Sequence, residues 1–541
     1  MLNNLFNDRM IKGQRWLLLA FLVLHTCASF YYISKQNITH DEPQYIEYAK
    51  RWLHGHPERL YPLDDSKSPV VAVCWVPRIA RQLIKPDYKL FDYGRKDQAE
   101  GRYMMILFSL LTALYVYWWC KDLYGMRGWQ LPLLLLLFDP LFLAYSTLIT
   151  TDIACGAFLV ATLYHFRKFQ ITNGTKQLIA SAAFTGLGIV TKQSLIFLFL
   201  LLPILSLVGK INNKESKIKT SFTLIKAKNT IFFLLTVILI INLAFYFKGT
   251  FFALNEYSFK STSFQALQRI FSDFKWLRVP FPSSFIQSID LLKAHAELGA
   301  GKYGSTYDGV YLFGEVRMDK GFWYYYLILF FYKMPLGTLL LILASVIIFF
   351  KKFEMTSFAN KYMYVVIPIV FYGIVLSFYN VFQIGIRHLL IIFPFIFIGL
   401  GYTFNYLSNR KKVFEITAYA AIIFSIFSMI SYYPDLLPYT NELIGNKKAV
   451  YKKVMDSSID YGQSDSIAKN FILQNEGYKM CSEMPDTGHY LVSMRELAFS
   501  KMNKQKDISW FNKFQPIGLF QHVFLLYFIS EDDLKKSKVT K

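Results

Sequence analysis

Thr39-His40-Asp41-Glu42 stands just beyond a long apolar run, Trp16 to Ile33, and that junction decides how the chain is read. A helix of roughly 20 apolar residues crosses the ~30 Å hydrocarbon core of a bilayer. An acidic pair directly after such a run sits where a membrane helix meets water, a rim position at which a carboxylate escapes the cost of the lipid interior. Asp41 and Glu42 are therefore the first candidate functional residues. The run lacks a small-residue cleavage site and is read as a retained helix rather than a removed signal peptide.

The rest of the chain fits a membrane setting. Of 541 residues, 54% are hydrophobic and the mean hydropathy is +0.29, too apolar for a soluble chain of this size. Eleven segments are candidate spans, near 15–34, 103–120, 129–147, 151–166, 177–191, 194–209, 230–247, 323–350, 362–380, 387–405 and 414–432. The net charge of +22 is placed in alternate short loops, among them Lys121 and Arg127, Arg167, Lys168 and Lys176, the lysine-rich stretch 210–228, Lys351 and Lys352, and Arg410 to Lys412. That asymmetry puts the N-terminus in the cytoplasm. It makes the basic loops topology signals and argues against a nucleic-acid partner. The segments 35–102 and 248–322, and the tail from 433, then lie on the outer side. No CxxC or His-Cys cluster is present, which excludes a structural zinc site of the usual kind.

In the first outer segment, Tyr45, Tyr48, Ala49, Trp52 and Leu53 share one helical face, and Val70 to Leu83 forms a second amphipathic stretch. Both are expected to lie along the membrane surface. The tail alternates polar turns with strand-like runs, His489 to Ser493 and Val523 to Phe528. It is read as a small external α/β domain, 433–541, beside a transmembrane domain, 1–432.

From here the chain resembles a known group. Asp41-Glu42 is similar to the acidic motif that follows the first membrane helix in polyprenyl-phosphate-dependent glycosyltransferases of the protein O-mannosyltransferase and aminoarabinose-transferase type, which have the GT-C fold. Lys67-Ser68-Pro69 resembles their Lys/His-Pro-Pro segment. Asp139-Pro140 to Ser146 with Thr150-Thr151-Asp152 resembles the second acidic motif, and Gly186-Leu187-Gly188 with Thr191-Lys192 the end of the fifth helix. A bacterial branch is matched by Gly314-Glu315 with Trp323-Tyr324-Tyr325, by Lys333-Met334-Pro335-Leu336, and by Gly385-Ile386-Arg387-His388-Leu389-Leu390. Tyr439-Thr440-Asn441-Glu442-Leu443 and Asp460-Tyr461-Gly462-Gln463-Ser464-Asp465 match the same branch in the tail. Three departures stand out: Ser68 replaces the first proline, Tyr461 stands where the branch usually has tryptophan, and Ser464 follows Gln463 directly.

The resemblance implies an all-α polytopic GT-C enzyme of a plasma (inner) membrane, with its site on the outer face. It implies an inverting glycosyltransferase that moves one sugar from a polyprenyl-phosphate carrier to a hydroxyl of a lipid, glycan or protein acceptor. Inversion in one displacement needs a carboxylate to take the acceptor proton and cations to hold the departing phosphate. Asp41 is the expected base. Glu42 and Asp152 are expected to orient the acceptor, or a divalent cation is held with Asp41 and Asp152 as ligands. Lys67, Arg387 and Lys192 are the expected phosphate-binding cations. Glu315 and Glu442 are candidate acceptor or accessory residues, with plain surface glutamates as the favoured alternative. Structural alternatives stand beside these: Asp41 as a helix cap ahead of Pro43, Asp152 as a carboxylate on a helix dipole, and Arg387 and Lys192 as headgroup anchors. Two other functions stay open, an oligosaccharyltransferase-like enzyme using a lipid-pyrophosphate donor and a flippase or transporter of a lipid-linked sugar.

Overall fold

The computed structural model describes residues 12–60, 64, 67–91, 97–126, 128–215, 227–299, 309–407, 412–500 and 507–537. Arg127, Arg410 and Lys411, and the part of the lysine-rich loop within 216–226, lie outside these residues.

The chain is mostly helical. Among the described residues five helices are long and apolar enough to cross a membrane: Gly13–Lys35, Ala99–Tyr124, Ala227–Ala244, Met355–Tyr379 and Ile386–Leu407. Tyr325–Lys333 and Leu336–Lys351 make a sixth if the bent pair is one span, and Gln193–Gly209 and Glu415–Ile430 are shorter apolar helices. Asp152–Thr172 and Thr175–Thr191 form as expected, and nearly every residue of Asp152–Thr172 is buried inside the bundle.

Two expected spans are interrupted, each for a local reason. The segment 129–147 divides into Gln130–Leu137 and Pro140–Ser146. Asp139 caps the second piece, its Oδ1 accepting from the amides of Leu141 (3.0 Å) and Phe142 (2.9 Å), with Pro140 preset for the first turn. The segment 323–350 bends by 119° between Lys333 and Leu336. Pro335 cannot donate to the helix ladder and pushes Met334 into an extended conformation (ψ 138°). The carbonyls freed at that bend are taken by a single side chain, the Asn441 amide, which donates to Phe331 O and Met334 O at 2.6 Å each. The fully buried Lys333 ammonium donates to the carbonyls of Leu437 (2.7 Å) and Ser458 (2.6 Å). The bend therefore anchors the chain that follows the last helix.

The first outer segment is partly corrected. The helix Glu42–Leu53 forms, but Tyr45, Ile46, Tyr48 and Ala49 are buried in protein, not laid on lipid. They pack against a 3-10 turn, Pro69–Trp75, whose Trp75 indole donates to Ile46 O (3.2 Å). Trp52 donates to Ala244 O (2.7 Å), which pins the helix to the end of a span. In the second stretch, Val76–Ile84, Leu83 and Ile84 do face outward.

The tail carries a four-stranded sheet in the order Tyr478–Met480, Gly488–Ser493, Phe524–Ile529, Gly518–Phe520. The two strand-like runs read from the sequence are its central antiparallel pair, with His489 opposite Phe528 and Leu491 opposite Leu526. The edge strand Tyr478–Met480 runs parallel to its neighbour. Between the last helix and this sheet, 433–464 lies over the helical bundle rather than apart from it, and this brings Asp456, Asp460 and Tyr461 to the cavity described next.

Candidate functional site

A cavity of about 1560 Å³ opens between the helix ends, the helix Glu42–Leu53 and the tail. Asp41, Lys67, Asp152, Lys192 and Arg387 all line it, drawn from five separated parts of the chain. Phe197, Leu292, Tyr372, Leu376 and Ile391 give it an apolar wall.

Asp41 occupies the cap position of Glu42–Leu53, yet its side chain makes no capping hydrogen bond. It points across the cavity instead. Its Oδ2 accepts from Arg387 Nη1 (3.1 Å) and from the Tyr461 hydroxyl (2.5 Å), and Arg387 also donates to the Tyr461 oxygen. Burial on its own would raise the Asp41 carboxyl. The Arg387 and Lys67 charges and the hydrogen bonds from Tyr461 and Arg387 outweigh it and bring the pKa down to about 2.

Lys67 is held by the turn that follows it. Ser68 accepts from the Val70 amide (3.2 Å) and donates to Val190 O (2.9 Å), so the departure from proline at this position has a structural use. The buried Lys67 ammonium lies 4.3 Å from the centre of the Tyr45 ring, a cation–π contact. Asp152 opens its helix, and Lys192 reaches it from the extended residue between Thr175–Thr191 and the turn Gln193–Phe197, with Nζ to Oδ1 at 2.6 Å. Each candidate carboxylate on the cavity thus faces a cation. His388, also on the lining, contacts Tyr326 OH (3.1 Å) and the Asn380 amide nitrogen (3.0 Å) through Nδ1.

Three expected residues are placed elsewhere. Glu42 is fully buried behind Asp41 and does not line the cavity. Both its oxygens are used by Arg102, through Nε (2.8 Å) and Nη2 (2.5 Å), and by the amides of Thr39 (2.7 Å) and Ile149 (3.0 Å). At this helix start the first carboxylate of the pair faces the cavity and the second turns inward. Glu315 is exposed on a short hairpin and pairs with Arg317 (2.7 Å). Glu442 is exposed at a 3-10 turn and accepts from Ser428 (2.6 Å). Neither is on the lining.

In the sequence Tyr461 stands out only as a departure from a motif, with no chemistry attached. Nothing in the sequence links it to Asp41, 420 positions away. Its backbone is fixed by the turn Asp460-Tyr461-Gly462. The His40 amide donates to Tyr461 O (2.9 Å), and a Cβ on Gly462, at φ +79°, would meet the His40 ring at 2.1 Å. His40 in turn contacts Asp465 (3.0 Å) across the rim.

For a divalent cation the donors are sparse. Among the described residues no group of three or more His, Cys, Asp or Glu side chains is placed to hold an ion.

The chain can now be set beside known proteins. Residues 81–250 match the family model described as dolichyl-phosphate-mannose-protein mannosyltransferase. The matched segment holds Asp152 and Lys192 and leaves out Asp41, Lys67 and Arg387. Comparison with curated protein sequences finds no match. Among solved structures, the archaeal oligosaccharyltransferase AglB from Archaeoglobus fulgidus, in complex with an inhibitory peptide and a dolichol-phosphate, is similar at 14% identity and a TM-score of 0.46. That likeness covers 77% of this chain, which spans 56% of the archaeal one. ArnT from Cupriavidus metallidurans bound to undecaprenyl phosphate is similar at 13% identity and a TM-score of 0.32, over 94% of this chain and 97% of that one. At TM-scores below 0.5 these likenesses carry no weight for the chemistry. The family match spans 81–250 of the 541 residues, and the described residues around and within it include five helices long and apolar enough to cross a membrane.

Proposed function

We propose that this chain, whose residues 81–250 match the dolichyl-phosphate-mannose-protein mannosyltransferase family model, moves a single sugar from a polyprenyl-phosphate donor to an acceptor hydroxyl with inversion. The observation that carries this reading is one cavity holding a carboxylate, Asp41, among the cations Lys67, Arg387 and Lys192, with an apolar wall beside them. The prenyl tail lies against that wall and the phosphate meets the cations. The arginine offers paired N–H groups and the lysines act as point charges. The acceptor oxygen attacks the anomeric carbon, the bond from that carbon to the phosphate oxygen breaks, and the electron pair leaves with the phosphate. Asp41 takes the acceptor proton. Asp152, held by Lys192, faces the same space and orients the acceptor.

Around this site the proposed arrangement has about eleven spans, with the N-terminus in the cytoplasm and the cavity and tail domain on the outer side of a plasma (inner) membrane. Acceptor contacts come from the tail wall of the cavity, and Glu315 and Glu442 lie off it. Asp41 and Asp152, the carboxylates expected to hold a divalent cation, are each ion-paired, with Arg387 and with Lys192, and Asp456, Asp460, Asp465 and Glu496 also line the cavity. In this proposal Asp41 and Asp152 keep their ion pairs and no step passes through a metal. Turnover is expected to persist in EDTA; a loss that added Mg²⁺ or Mn²⁺ restores would reverse that assignment.

The reading is tested by mass spectrometry of lipid-linked sugars in cells lacking the chain. One polyprenyl-phosphate monosaccharide is expected to accumulate. Accumulation of a pyrophosphate-linked oligosaccharide instead would point to the other donor class, and no change with the donor pathway active would defeat the proposal.

A further inference from the structure

Tyr461 comes from the tail, yet its hydroxyl lies against the carboxylate that the helical bundle presents to the cavity. Arg387 has only donors to offer, so its contact with the Tyr461 oxygen must be an N–H donation. The phenolic proton is thereby left for Oδ2 of Asp41, 2.5 Å away. Burial holds the phenol well above its ordinary pKa, so it stays a donor at any physiological pH. Oδ2 receives both Tyr461 and Arg387, whereas among the described residues no hydrogen bond to Oδ1 is recorded.

The rest of the turn fixes this hydroxyl in place. The Tyr461 amide donates to Gln463 Oε1 (2.7 Å), and the Gln463 amide nitrogen donates back to Ile459 O (3.0 Å). The Arg387 guanidinium lies 5.0 Å from the centre of the Tyr461 ring, and the ring itself is buried. A group locked on three sides is suited to holding another group at a set angle.

We infer that Tyr461 is a positioning residue for the transfer: its hydroxyl fixes Oδ2 of Asp41, leaves Oδ1 to take the acceptor proton, and keeps the carboxylate aimed when Arg387 turns to the donor phosphate. This rests on the reading of Asp41 as the base. The tail is then part of the active site and not an appended module. Arg387 has two anionic claimants, Asp41 in the resting enzyme and the phosphate once the donor is bound. Among the described residues the hydrogen bonds to the carboxylate come from Arg387 and Tyr461, so the Tyr461 contact is the one that stays when Arg387 turns away.

The charged and titratable groups facing Asp41 are Lys67 ahead of the 3-10 turn, Arg387 at the start of its helix, Tyr45 on Asp41's own helix, and Tyr461, with the Asp152–Lys192 pair beyond Tyr45. Removing the phenolic donor withdraws a hydrogen bond from the charged carboxylate, so the Asp41 pKa must rise.

The test uses the full chain in liposomes as Tyr461→Phe and Asp41→Asn, with the donor lipid recovered from deletion cells and sugar-free undecaprenyl phosphate as the binding probe. Turnover is expressed per undecaprenyl phosphate bound, so that any loss of folded protein cancels. Tyr461→Phe is expected to bind the probe as tightly as wild type or more tightly. Its kcat is expected to fall about ten- to a hundred-fold, the range for one hydrogen bond to a charged group, and the acid limb of kcat to move to higher pH. A merely structural tyrosine would lower the bound fraction and leave kcat per site and the acid limb where they were. That outcome, with Asp41→Asn inactive, overturns the role of Tyr461 alone. Turnover retained by Asp41→Asn overturns the base assignment and this inference with it.

Discussion

Asp41→Asn is expected to reduce turnover by about 10²–10⁴-fold, the usual contribution of a positioned general base, while the polyprenyl phosphate still binds. Asparagine matches aspartate in shape, and its amide oxygen can still accept from Tyr461 and Arg387, so the cavity keeps its geometry. It cannot take a proton from an acceptor hydroxyl. Arg387 and Lys67 lose the anion that competes with the donor phosphate for them, so affinity for undecaprenyl phosphate is expected to hold or improve. A loss of both binding and turnover would mark Asp41 as a structural partner of Arg387 and defeat the assignment. A flippase or transporter, which makes and breaks no sugar bond, would be nearly indifferent to the change. In cells, the donor lipid should accumulate to the same level with Asp41→Asn as with deletion.

The same residue fixes a pH dependence. With its carboxyl brought down to about 2, Asp41 is ionised throughout the physiological range in the free enzyme, and kcat/KM should show no acid limb from it there. A carboxylate held so low is a weak base, since a general base works best with a pKa near the operating pH. Under the proposed function, donor phosphate would draw Arg387 and Lys67 toward itself and remove the two charges that depress the carboxyl. The acid limb should therefore lie at higher pH in kcat than in kcat/KM. Coincident limbs would mean that the cations stay on Asp41 during turnover.

The sequence made some of this legible and hid the rest for identifiable reasons. Long apolar runs reveal themselves by length, and the alternating runs His489 to Ser493 and Val523 to Phe528 form paired strands close to where they were read. The break at Asp139 and the bend at Pro335 were written in Asp-Pro and Met-Pro, but apolar residues on both sides outweighed them in a hydropathy reading. Asp41 could be singled out as a carboxylate placed where a membrane helix meets water, and Lys67, Asp152, Lys192 and Arg387 through the motifs that resemble the glycosyltransferase group. Which member of Asp41-Glu42 faces the cavity could not, because adjacent residues at a helix start diverge by local geometry. Tyr461 was hidden more deeply, since its role depends on a tail loop closing over a helix from the other end of the chain. Glu315 and Glu442 stood out only as parts of motifs, and motif membership does not say which way a side chain points.

Glu42 carries the other large expected effect, and on stability rather than chemistry. Glu42 and Arg102 are both fully buried, with Arg102 also donating to the carbonyls of Gln36 (3.3 Å) and Asn37 (2.7 Å). Together they join the end of the first helix, the loop that presents Asp41, the start of the helix Arg102–Tyr124 and the Ile149 amide. Glu42→Gln leaves the Arg102 guanidinium buried without its counter-charge, which should destabilise the protein by about 3–5 kcal/mol. Thermal unfolding in detergent, followed with and without undecaprenyl phosphate, would register this as a large drop in midpoint. Lost turnover in Glu42→Gln would not by itself separate a broken fold from a missing catalyst. The double variant Glu42→Gln with Arg102→Met does, because it removes the stranded charge. If stability and turnover return together, Glu42 is a support for the loop that carries Asp41. If stability returns and turnover does not, the buried carboxylate acts in the reaction after all, and the second acid of the pair must reach the cavity in a state other than this one.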